Sequence, residues 1–76
     1  MNIFEILKKE IKNEFNKTVK IDTIFKDVGI DSIDLLNFVI KVEEKFDITF
    51  LDSELLNLNS VQDVVTLITK KVNKKK

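Results

Sequence analysis

Cysteine, histidine, arginine, tryptophan, tyrosine and proline are all absent from this sequence, and glycine occurs once, at Gly29. Without cysteine or histidine the chain has no disulfide, no thiol or imidazole nucleophile, and none of the nitrogen and sulfur ligands that build zinc sites. Packing alone must hold it together, and 76 residues leave room for one modest core, so a single domain over residues 1–76 is expected. No arginine, tyrosine or tryptophan is available to stack on bases. Long apolar runs are also lacking. The longest is Phe38, Val39 and Ile40, and charge alternates with hydrophobe from Glu5 onward, which leaves neither a membrane-spanning helix nor a signal peptide. A cytoplasmic protein is expected.

The formal net charge of zero conceals an uneven distribution. Residues 22–63 carry ten Asp or Glu against Lys26, Lys41 and Lys45, a net −7, while residues 1–21 carry +2 and residues 70–76 carry +5. An acidic middle repels nucleic acid phosphates and suits basic protein surfaces. The terminal lysines, Lys70, Lys71, Lys74, Lys75 and Lys76, read as a frayed, solvated helix end with no stable membrane insertion, since cations suit a helix C-terminus.

Apolar residues recur at helical spacing along most of the chain, which predicts an all-α domain. The first helix is expected from about Asn2, which can cap it, to Phe15, with Ile3, Leu7, Ile11 and Phe15 on one stripe and Phe4 and Ile6 beside it. Residues 16–30 lack sustained periodicity and read as a long loop containing at most a short turn, with Ile21, Ile24, Phe25 and Val28 tucked inward. The second helix starts at the Asp31, Ser32, Ile33, Asp34 cluster and ends near Phe46. A short third helix follows Asp52 or Ser53 through Asn57. Ser60 with Asp63 makes a capping pattern for a last helix that buries Val61, Val64, Val65, Ile68 and Val72. The predicted architecture is a small four-helix bundle: three main helices, one short helix and a long first loop.

The second helix carries two apolar stripes where one would serve a core. Leu35, Phe38, Val39, Val42 and Phe46 fall within about 100° of arc and are expected inside. Ile33, Leu36 and Ile40 fall on another side, flanked by Glu43 and Glu44, an arrangement that suits either a contact with a neighbouring segment or a docking strip for a partner. Ser32 stands at its head. An Asp-Ser pair before an apolar periodic run is, by itself, an ordinary helix start.

The wider context is more specific. Asp27-Val28-Gly29-Ile30-Asp31-Ser32-Ile33-Asp34 resembles the attachment motif of acyl carrier proteins, Asp-Leu-Gly-x-Asp-Ser-Leu, with Val28 and Ile33 in place of the two leucines. The resemblance runs without a gap over residues 25–68, through Val42-Glu43-Glu44-Lys45-Phe46-Asp47-Ile48, the Asp52 segment and Asn59-Ser60-Val61-Gln62-Asp63-Val64-Val65. Departures are Asn37 where an acid is common, Leu51 where proline is common, a first loop a few residues shorter, and the lysine-rich tail.

The resemblance implies a non-catalytic carrier. A thioester needs a thiol, this chain has none, and the family supplies one as 4′-phosphopantetheine on the motif serine, here Ser32, with Asp31 and Gly29 of the motif as further cofactor-site residues. A separate phosphopantetheinyl transferase would hold coenzyme A with Mg²⁺ while the Ser32 hydroxyl attacks the β-phosphate. The arm would carry acyl groups, with fatty acid biosynthesis the commonest family role. The docking residues it implies are Ile33, Asp34, Leu36, Ile40, Glu43 and Glu44, facing acyl-transfer enzymes with basic surfaces, and the carrier is expected to act as a monomer without a metal. Specialised polyketide, aminoacyl or D-alanyl carriers and an unmodified helical adaptor are the alternatives. Scattered carboxylates on helices make no catalytic site.

Overall fold

The computed structural model describes residues 2–74. Four α-helices follow in chain order: α1 (Ile3–Phe15), α2 (Ser32–Phe46), α3 (Asp52–Leu55) and α4 (Val61–Lys74), with a 3-10 turn at Phe25–Val28 inside the long first loop. This is the expected bundle. No β-strand forms among the described residues, and no helix among them is long and apolar enough to cross a membrane.

Each main helix begins on a side chain that accepts a free amide of the first turn. Asn2 Oδ1 accepts from the Glu5 amide at 3.1 Å, and Asp31 Oδ1 accepts from the Asp34 amide at 2.9 Å. At α4 the exchange is reciprocal: Ser60 Oγ accepts from the Asp63 amide at 3.2 Å, while Asp63 Oδ2 accepts from the Ser60 amide at 3.0 Å and the Asn59 amide at 2.9 Å. α1 and α2 both end on a left-handed residue, Asn16 at φ 56° and Asp47 at φ 56°, the two non-glycine types that tolerate it best. α3 departs from expectation at both ends. Leu51 precedes it, so neither Asp52 nor Ser53 is the cap, and the Leu51 amide is instead taken by Glu54 Oε1 at 2.7 Å. After Leu55 the chain tightens into turns bonded from Asn57 to Glu54 and from Leu58 to Leu55, which ends the helix short of Asn57.

Leu7 and Ile11 of α1, Phe38, Val39 and Val42 of α2, and Val61, Val64 and Ile68 of α4 meet in one core. Loop residues complete it: Val19, Phe25, Ile30, Ile48, Phe50 and Leu58 are buried as fully as the helical ones. The ends of the stripes are less deep than the periodicity suggests. Leu35 and Phe46 are half-buried at the rim of α2, as are Val65 and Val72 on α4. Ile21 and Ile24 are exposed, contrary to the inward placement expected of the loop. The reason is backbone pairing. Phe25 donates its amide to the Asn59 carbonyl at 2.9 Å and Val61 to the Thr23 carbonyl at 3.0 Å, an antiparallel bridge between Ile24 and Ser60 that pins the loop to the start of α4. A strand-like pairing turns alternate side chains to opposite sides, so Phe25 enters the core and Ile24 faces out.

The expected fraying from residue 70 is not seen as far as Lys74, where helical backbone continues, and Lys71 bonds Glu54 at 2.8 Å while its ammonium lies 5.8 Å from the Phe50 ring centre. Lys75 and Lys76 lie outside the described residues.

Candidate functional site

The segment leading into α2 is shaped to present its first residue. Buried Phe25 anchors the 3-10 turn, and Gly29 closes it at φ +80° with its amide on the Lys26 carbonyl at 3.2 Å. A Cβ built at Gly29 meets nothing within 4 Å, so glycine is needed there for its left-handed backbone and not for space. Ile30, buried, then returns its amide to the Phe25 carbonyl at 3.0 Å, and Asp31 arrives extended, ready to cap.

Because Asp31 does the capping, Ser32 is released from it. Ser32 is the first residue of α2, its side chain is exposed, and among the described residues its hydroxyl has no hydrogen-bond partner. The other two serines differ. Ser60 is committed to the Asp63 amide and is half-buried, and Ser53 is exposed but borders neither of the grooves that meet at Ser32.

Those two grooves run in different directions. One, about 470 Å³, passes between α2 and α3 over Leu36, Asp52, Leu55 and Leu56. The other, about 350 Å³, runs beside the 3-10 turn along Ile24, Lys26, Ile30 and Asp31. Leu35, Leu58 and Asn59 border both. The site is thus an exposed hydroxyl at a helix N-terminus, where unpaired amides and the positive end of the helix dipole favour an attached phosphate. Asp31 and Asp34 oppose that charge locally. Apolar walls extend from it on both sides. These features fit a flexible phosphodiester-linked arm: the nucleophile is accessible, nothing must be broken to release it, and a chain leaving it has apolar surface to follow.

The second apolar stripe of α2 is open to solvent. Ile33, Leu36 and Ile40 are 69%, 47% and 46% exposed, with Glu44 exposed beside them and Asp34 half-buried in the first turn. Glu43 is different. Its Oε2 accepts from the Phe50 amide at 2.8 Å, tying the end of α2 to the α2–α3 connection, so this carboxylate serves the fold and is not simply offered to a partner. Sequence reasoning missed Leu56, which at 84% exposure is the most open large apolar side chain near the site, and also the groove-lining Lys26, Asp52 and Asn59. Leu56 had a signal: Leu55, Leu56 and Leu58 crowd a short segment in which helical geometry cannot turn all three inward. Among the described residues no cluster of acidic side chains is placed to hold a metal ion.

Comparison with known proteins agrees with this geometry. The family model described as "Phosphopantetheine attachment site" matches residues 5–68. The chain is 42% identical over 72 residues to an acyl carrier protein of Onion yellows phytoplasma, covering 90% of this chain and 95% of that one, and 40% identical to an acyl carrier protein of Campylobacter hominis over the full length of both. The crystal structure of an acyl carrier protein from Thermotoga maritima superposes with a TM-score of 0.88 at 23% identity, covering 97% of this chain and 91% of that one, a likeness of fold. With the family model spanning most of the chain and relatives at 40% identity or more over nearly all of it, this chain belongs to the acyl carrier proteins, the carriers whose prosthetic group is 4′-phosphopantetheine.

Proposed function

We propose that Ser32 is the residue that receives the phosphopantetheine arm, and that the loaded protein carries acyl groups as thioesters in fatty acid biosynthesis. The observation that carries this reading is the freedom of the Ser32 hydroxyl: exposed, unbonded and at the junction of two grooves, while Asp31 performs the capping that a serine at a helix start often performs. In the transfer, Ser32 Oγ forms a bond to the β-phosphorus of coenzyme A as the pyrophosphate P–O bond breaks. Adenosine 3′,5′-bisphosphate leaves, and the serine proton passes to a base of the phosphopantetheinyl transferase. The carrier supplies the nucleophile and its position and nothing else. Its strip of Ile33, Leu36 and Ile40, with Asp34 and Glu44, offers apolar and acidic contacts to acyl-transfer enzymes with basic faces.

Incubation with coenzyme A, Mg²⁺ and a broad-specificity transferase tests this. Intact mass spectrometry should show one arm on the wild type and reactivity toward thiol reagents in a chain with no cysteine. Ser32→Ala should gain neither while keeping its fold, and Ser53→Ala should load as the wild type does. Loading of Ser32→Ala, or none of the wild type, would defeat the assignment. Mass spectra of the protein taken from its own cells would read the cargo. Aminoacyl groups in place of malonyl and saturated acyl chains would replace the fatty acid pathway with a specialised one.

A further inference from the structure

Residues 22–63 contain only three cations, Lys26, Lys41 and Lys45, amid ten carboxylates. Two of the three are used up within the bundle. Lys41 pairs with Glu14, and Lys45 pairs with Glu10 at 3.0 Å, both across the α1–α2 contact. Lys26 is exposed, and among the described residues it has no acidic partner. It sits on the 3-10 turn, which the Gly29 and Ile30 amides fold back against the start of α2, so that Lys26 and Ser32 border one groove.

The two grooves at Ser32 therefore differ in charge. The one over α3 is bordered by Asp52 and has no cation, whereas the one beside the 3-10 turn is bordered by Lys26. Asp31 also borders the latter, but one of its oxygens is held by the Asp34 amide. A phosphodiester on Ser32 meets only negative charge on the α3 side, whereas on the side of the 3-10 turn Lys26 offsets the Asp31 carboxylate. Resting on the assignment of Ser32 as the attachment residue, we propose that Lys26 is the counter-charge of the arm's phosphate, directing the phosphodiester toward the groove of Ile24 and Ile30 and away from Asp52.

Limited acetylation of lysines, quantified by peptide mass spectrometry on unloaded and loaded protein, tests the contact directly. The arm thiol is alkylated beforehand, and intact mass confirms that one arm is present. At low salt, loading should lower the labelling of Lys26 by about two- to fivefold, the range an exposed ion pair supports. Molar salt should restore it, and Lys17 and Lys20 should be unaffected by loading. As a second readout, the ³¹P resonance of the loaded protein should move in Lys26→Met and stay in place in Lys17→Met. Failure of the wild type to load would strike the functional assignment. Normal loading with equal Lys26 labelling in both forms, protection that salt does not relieve, or an unmoved ³¹P resonance in Lys26→Met would overturn the role of Lys26.

Discussion

At the scale of single residues, the turn that leads into Ser32 depends on one backbone conformation and one division of labour. Gly29 holds φ +80° with open space around it, so Gly29→Ala should cost about 1 kcal/mol through the left-handed strain of an L-residue and not through a clash. A denaturant titration that showed no loss of stability would mean that the turn can relax into another geometry. Capping is divided unequally between the serines. Ser60 accepts from the Asp63 amide, so Ser60→Ala should lose about 1 kcal/mol, whereas Ser32→Ala should melt within about 0.5 kcal/mol of the wild type because Asp31 keeps the cap of α2. Urea titrations of the two variants check both values. The hydroxyl proposed to take the arm is the one that stability does not use.

At the scale of elements, α2 presents three kinds of surface on one cylinder. Phe38, Val39 and Val42 are buried, Lys41 and Lys45 face the acids of α1, and Ile33, Leu36 and Ile40 remain open with Glu44 beside them. Substitutions on the open strip should therefore leave the fold alone. Ile40→Arg and Glu44→Lys should each change unfolding free energy by less than about 0.5 kcal/mol while slowing turnover by partner enzymes in a salt-sensitive way. A large melting drop in Ile40→Arg would place that residue in a packing role. The neighbouring acid should behave oppositely: Glu43→Ala strands the Phe50 amide and should cost about 1 to 2 kcal/mol. Calorimetric melts of Glu43→Ala and Glu44→Ala side by side distinguish a carboxylate that holds the α2–α3 connection from one that faces solvent.

At the scale of the whole molecule, among the described residues the α-helices supply eight of the fourteen buried core residues and the connections supply the other six, Val19, Phe25, Ile30, Ile48, Phe50 and Leu58. The centre is aromatic: Phe38 is buried, with its ring 6.0 Å from that of Phe15. Phe38→Ala should cost about 3 to 5 kcal/mol, a large share of the margin of so small a domain, while half-buried Phe46→Ala should cost distinctly less. Thermal melts ranking Phe46→Ala as the more damaging would reverse this account of the core. The α1–α2 ion pairs contribute little by comparison, because exposed pairs are screened and entropically costly.

The order of the helices, the caps at Asn2, Asp31 and Ser60, and the position of Ser32 were all written in periodicity and local chemistry. They depend on interactions within four residues, and a linear sequence displays those directly. The Asp31-Ser32 context within the longer motif also marked the candidate site. What lies beyond four residues needed the tertiary structure. The pairing of Ile24 with Ser60 turned Ile24 outward, the Phe50 amide claimed Glu43, and Glu10 and Glu14 occupied Lys45 and Lys41. In each case the deciding partner lies at least seven residues away along the chain. Which charges stay free around Ser32, and which groove carries the cation, were fixed only when α1, the 3-10 turn and α3 came together with α2 and the acids of α1 took Lys41 and Lys45.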